Sequence, residues 1–75
     1  MKKKKRLSRH HIIPRSRGGS SENSNIALVE KKEHQYYHAL FENRTPDEII
    51  VFLVNHFWNG QDYWLIKAIF KLKGR

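Results

Sequence analysis

The sequence contains no cysteine. That excludes disulfides and every thiolate metal site, and leaves histidine and carboxylate as the available metal ligands. Acids are also scarce: seven Asp and Glu stand against 15 Lys and Arg, giving a formal net charge of +8. An imbalance of that size fits a polyanionic partner, either nucleic acid or an acidic membrane surface. No apolar run approaches the length of a membrane span, and MKKKKRL leads into SRHH instead of a hydrophobic stretch with a cleavage site. No signal peptide is therefore read, and a cytoplasmic location without membrane attachment is expected. A chain of 75 residues has little interior to bury, so it should form one domain and gain from a bound metal or a partner subunit.

What is present is unevenly placed. Residues 1–21 hold eight Lys or Arg and no acid, and residues 1–6 read as a basic flexible tail ahead of a single domain over 7–75. Leu7 to Ile13 suits a short strand that Pro14 stops. The stretch PRSRGGSSENSN reads as a loop, with Gly18 and Gly19 as turn residues, and Ile26 to Val29 is a second brief strand able to pair with the first. From about Glu30 strong helix formers take over and run to a stop near Asn43, which tolerates a left-handed end. Thr45-Pro46-Asp47-Glu48 then opens a helix with a Thr cap, proline at the first helical position and a glutamate placed to close a capping box. That helix carries Ile49, Ile50, Phe52, Leu53, Val54 and Phe57 and is expected to be substantially buried. Asn59-Gly60 breaks it. A last helix from about Asp62 should turn Leu65, Ile66, Ile69, Phe70 and Leu72 inward and Lys67, Lys71 and Lys73 outward. The expected fold class is α+β: a β-hairpin and helix over 7–43, followed by two C-terminal helices over 44–75.

Five histidines fall at 10, 11, 34, 38 and 56. His34 and His38 are four apart on a predicted helix, so their rings share one face at a spacing that suits a single metal ion. By itself an i, i+4 pair is as readily a solvated face. A hairpin running directly into that helix, however, brings the end of the first strand against it, so that one histidine of the His10-His11 pair can complete a three-nitrogen site. Neighbours on a strand point to opposite faces, and the other histidine would then aim elsewhere. Three protein ligands leave a cation open positions, from which it can polarise a phosphoryl oxygen. An imidazole with its ordinary near-neutral pKa suits the remaining task, removing a proton from water, and His11 is assigned to it. His56 lies in an apolar segment apart from the cluster and reads as a packed or surface histidine. Tyr36 and Tyr37 offer stacking faces for bases, though packing is the expected fate of at least one.

The order His10-His11-Ile-Ile-Pro, Arg15, Gly18-Gly19, Asn25, His34 and His38 resembles the HNH endonucleases, with the doubled first histidine like that of the colicin-type branch. The resemblance spans about Arg9 to Phe41 and implies a small ββα-metal, or His-Me finger, core. It further implies His10, His34 and His38 as metal ligands, His11 as general base, and Asn25 as the residue that ties the loop together and so orients the base. The loop chemistry agrees, because asparagine bonds readily to nearby backbone. Two departures stand out. Many HNH proteins have aspartate where this chain has His10, and three imidazoles make a softer site, so the divalent ion is open among Zn, Ni, Mn and Mg. Many also carry cysteine pairs for a structural zinc, absent here, which leaves the helices after Thr45 to support the fold.

These readings converge on a metal-dependent endonuclease hydrolysing DNA phosphodiesters with low sequence specificity, the resemblance implying a 5′-phosphate product. Arg9, Arg15 and Arg17 are the candidate phosphate contacts, and binding through phosphates should weaken steeply with salt. Ligands and base must be neutral, so activity should fall below about pH 6. The alternatives are a metal-stabilised nucleic-acid-binding module without chemistry, and a toxin or subunit active only in a larger complex. Further partners left open are RNA, a homodimer formed through the aromatic-rich C-terminal helices, and an inhibitor or complex partner.

Overall fold

The computed structural model describes residues 6–74; the basic tail expected over 1–6 lies outside them except for Arg6. Strand β1 (Leu7–His11) pairs antiparallel with β2 (Ile26–Glu30), in a register that sets Ser8 opposite Val29, His10 opposite Ala27 and His11 opposite Ile26. The strand ends at His11, two residues before the expected Ile13, because Ile12 and Ile13 leave the ladder to bond Asn25 instead. Helix α1 (Lys31–Phe41) follows β2 without a loop. Its Glu33 side chain accepts the Glu30 amide at 3.3 Å, satisfying a donor that the first helical turn cannot. A two-stranded hairpin is marginal by itself, and α1 lies across this one to form a ββα unit.

The residue that ends α1 with positive φ is Glu42, at φ 54° and ψ −127°, one position before Asn43 and outside the left-handed helical conformation expected there. The chain then turns into α2 (Pro46–His56), where Thr45 and Glu48 form the expected capping box and the Thr45 amide reaches Glu48 Oε1 at 3.0 Å. Asn59 and Gly60 both take positive φ, and α3 (Tyr63–Lys73) follows. No helix among the described residues is long and apolar enough to cross a membrane.

A column of rings connects these parts. His10 meets Tyr37 edge-on at 4.4 Å, Tyr37 meets Phe41 at 5.1 Å, and Phe41 meets Phe52 of α2 at 6.2 Å. The Arg44 guanidinium lies over the Phe52 ring at 4.4 Å, and His56 stacks on the same ring at 4.9 Å, a packed role consistent with its expected place apart from the cluster. Ile49 and Val54 are the buried apolar residues of α2, while Ile50, Val51 and Phe57 stay exposed, so the burial expected of this helix is confined to one side.

The expectation for α3 is overturned. Ile66, Ile69, Phe70 and Leu72 are 49–76 % exposed, and Leu65 alone among the expected inward residues is half-buried. The reason is geometric. Leu65, Ile66, Ile69, Phe70 and Leu72 recur at helical spacing and share one broad side of α3, but no element among the described residues lies against that side to cover it.

Candidate metal and nuclease centre

Strand alternation puts Ser8 and His10 on one face of β1 and Arg9 and His11 on the other. The inner face meets α1, where His34 and His38 lie one turn apart. One nitrogen from each of His10, His34 and His38 falls within 4.8 Å of the other two. Ring centroids are 4.6 Å apart for His34 and His38, 5.1 Å for His10 and His34, and 5.9 Å for His10 and His38. His10 is buried, and its Nδ1 has no hydrogen-bond partner among the described residues, a costly arrangement for a polar atom shut away from water. The Nε2 atoms of His34 and His38 face each other at 2.9 Å. Three converging imidazoles with a buried nitrogen lacking a partner fit a divalent cation, and the all-nitrogen donor set suits transition ions better than magnesium.

Burial, reinforced by neighbouring histidines, holds His10 below its ordinary pKa; the same causes lower His34. Both shifts favour the neutral rings that a metal requires. The two helical histidines are oriented from outside the cluster, since His34 Nδ1 meets the Ser8 hydroxyl at 2.6 Å and His38 Nδ1 lies 3.3 Å from the Glu42 carbonyl oxygen.

Beside these rings opens a cleft of about 340 Å³, lined by Arg9, His11, Pro14, Arg15, His34 and His38 among others. His11 therefore shares a cavity with two of the three clustered histidines although its side chain leaves the strand on the other face. Its Nε2 lies 3.2 Å from the Ser21 hydroxyl. The loop that forms the rim is held by Asn25. That side chain accepts the Ile13 amide through Oδ1 at 2.8 Å and donates through Nδ2 to the carbonyls of Ile13 (3.0 Å) and Ser20 (2.8 Å), while its backbone carbonyl accepts from Ile12.

The arginines divide. Arg9 and Arg15 are exposed at the cleft. Arg17 is not a free phosphate contact: its two terminal nitrogens bind the Glu48 carboxylate at 2.8 and 2.7 Å, and one also reaches the Asn43 carbonyl. This fork-on-fork pair ties the rim loop to the start of α2.

Four contributors were missed in the sequence. Ser8 could have been found, because it stands two residues before His10 and must share its face. Tyr37, whose ring offers a stacking face for bases, instead packs on His10. Ser21 and Glu48 act through contacts 10 and 31 residues distant in the chain, and no local signal marks them.

In comparison with known proteins, the model of the family described as HNH endonuclease matches residues 1–39. No curated protein and no solved structure matches.

Proposed function

Since the chain belongs to the HNH endonuclease family, we propose that it is a metal-dependent endonuclease that hydrolyses phosphodiester bonds in DNA with low sequence specificity. One observation carries this reading: His10, His34 and His38 converge within 4.8 Å at the edge of a basic cleft that also contains His11.

In this reading His10, His34 and His38 hold one divalent cation, and His11 is the general base. A bound cation would supply Lewis-acid stabilisation of the charge that grows on the phosphate. The remaining work belongs to the chain. When Nε2–H of His11 donates to the Ser21 hydroxyl 3.2 Å away, Nδ1 keeps the lone pair and takes a proton from the attacking water. The water oxygen bonds to phosphorus, the bond to the 3′ oxygen breaks, and that oxygen is protonated from solvent, leaving a 5′-phosphate. Arg9 and Arg15 hold the flanking phosphates. Asn25 and the Arg17–Glu48 pair keep the rim loop, and with it the base, in alignment.

Because α3 exposes apolar side chains along one broad side, we propose in addition that the C-terminal helices pair two copies of the chain. Two active centres would then be available for the two strands of a duplex.

The deciding experiment is nicking of supercoiled plasmid across a series of Zn²⁺, Ni²⁺, Mn²⁺ and Mg²⁺, with His11→Ala purified in parallel. The nuclease reading expects the wild type to nick with at least one ion, and His11→Ala to bind metal and DNA while cutting at least about 100-fold more slowly. A wild type that binds metal and DNA but never cuts would instead be the metal-stapled binding module.

A further inference from the structure

The contacts around the two helical histidines constrain where each neutral ring can carry its proton. A backbone carbonyl only accepts, so the 3.3 Å contact with the Glu42 oxygen requires Nδ1–H on His38 and leaves the lone pair on His38 Nε2. That lone pair faces His34 Nε2 at 2.9 Å. Without a cation between them two lone pairs would repel at such a distance, so in the metal-free protein His34 Nε2 is the nitrogen that carries the proton. His34 Nδ1 is then the bare nitrogen and accepts from the Ser8 hydroxyl at 2.6 Å.

Holding a cation demands the reverse at one ring. His38 already has its lone pair inward, but a neutral His34 must place its proton on Nδ1 so that Nε2 is bare. The group opposite Nδ1 must change from donor to acceptor, and a hydroxyl can do both by rotating about its C–O bond. Alanine can do neither, and a carboxylate could only accept. We propose that Ser8 is a positioning residue for metal binding, its hydroxyl donating to His34 Nδ1 in the empty protein and accepting from Nδ1–H when a divalent cation is held. This rests on the reading of His10, His34 and His38 as the ligands.

The placement of Ser8 supports a dedicated role. Its position is set by the β1–β2 ladder, opposite Val29, and not by a loop. The contact with His34 is partly buried, so water does not freely replace it. The partner of the nitrogen opposite the metal fixes a ligand's tautomer and orientation, and its loss commonly weakens metal affinity by about 10–100-fold.

Two measurements test this. Long-range ¹⁵N–¹H spectra of ¹⁵N-labelled wild-type protein should show His34 Nδ1 without its proton in chelator-treated protein and with it after one equivalent of Zn²⁺. Competition against a chromophoric chelator should show Zn²⁺ affinity falling about tenfold or more in Ser8→Ala, with Ser8→Thr, which keeps the hydroxyl, within about threefold of wild type. Circular dichroism of the empty variants checks that the fold is intact; should Ser8→Ala not fold, the wild-type spectra decide alone. The same His34 tautomer with and without Zn²⁺, or equal Zn²⁺ affinity in wild type and folded Ser8→Ala, would overturn the role of Ser8 alone. A wild type that binds none of the divalent ions would overturn the ligand assignment and this inference together.

Discussion

A β-carbon on residue 19 would stand 1.7 Å from the Ile13 carbonyl oxygen and 2.9 Å from Asn25 Nδ2, so the rim loop closes only because Gly19 has no side chain. Gly18 is the turn residue of the pair, with φ 91°; Gly19 is there for space. Gly19→Ala cannot be absorbed by a rotamer change, because the clash is with backbone. The expected outcome is a loss of about 1–3 kcal/mol of stability, read by thermal or urea unfolding, and a larger fractional loss of cutting, since the displaced Ile13 follows His11 by two residues. Unchanged unfolding and unchanged cutting in Gly19→Ala would disprove the close approach.

Asn25 should matter for kcat more than for folding. Its amide joins Ile13 to Ser20 through three side-chain hydrogen bonds, and a base misplaced by about 1 Å can cost on the order of 100-fold in rate. Asn25→Ala is expected to lower single-turnover cutting by about that factor while Zn²⁺ affinity stays near wild type, because none of the three clustered histidines touches the Asn25 side chain through a described hydrogen bond. Asn25→Asp, which loses both donations, should rescue little. A parallel fall in metal affinity and rate would point to collapse of the whole centre instead.

Much of this centre is legible in the chain because its spacings are local. His34 and His38 are one helical turn apart, His10 and His11 are forced to different faces by strand geometry, and the Thr45 to Glu48 cap carries its own signature. What could not be read is what depends on partners distant in sequence. Arg17 reads as a loop cation suited to phosphate, and only the folded chain brings Glu48 against it. The misreading of α3 has a different origin. Leu65, Ile66, Ile69, Phe70 and Leu72 share one broad side of the helix by their spacing, yet inward has no meaning without a neighbouring element to cover that side.

Metal should stabilise as well as activate. The buried apolar core is small, with Ile49 and Val54 its buried hydrophobic members among the described residues, and a ligand held only by the folded state adds RT ln(1 + [L]/Kd), about 2.7 kcal/mol at 100 Kd. For a domain of this length that corresponds to roughly 10 °C or more in Tm. Differential scanning fluorimetry with Zn²⁺ should show the rise, its reversal by chelator, and its absence in His38→Ala. A Tm indifferent to every divalent ion in the wild type would contradict the ligand assignment.

Acid should loosen the rim loop through Glu48. Its hydrogen bonds from Arg17, followed by that from the Thr45 backbone, bring its pKa from 4.5 down to about 2 in the folded chain, so the folded state holds its proton less tightly than the unfolded one. The resulting stability is present above about pH 4.5 and is lost progressively as pH falls towards 2. Urea midpoints measured across that window should decline more steeply in wild type than in Glu48→Gln, whose group does not titrate. Because both side chains are substantially exposed, added salt should shrink the difference. Parallel slopes for the two proteins would mean that the pair is not formed in solution.

The α3 surface sets competing forces against each other, and salt separates them. Ile66, Ile69, Phe70 and Leu72 favour association by removing apolar area from water. Lys67, Lys71 and Lys73 on the same short helix, which holds no acid, repel their counterparts in a second copy. If two chains pair through this helix, screening of the lysines should tighten the dimer, so sedimentation equilibrium should give a smaller dissociation constant at about 0.5 M salt than at about 0.05 M. DNA binding through Arg9 and Arg15 should weaken over the same range. Phe70→Glu places a charge at a position already 71 % exposed, and should yield monomers that still bind Zn²⁺ as the wild type does. A wild type that stays monomeric at all salt concentrations would overturn the pairing and leave these side chains for an inhibitor or a larger complex to cover.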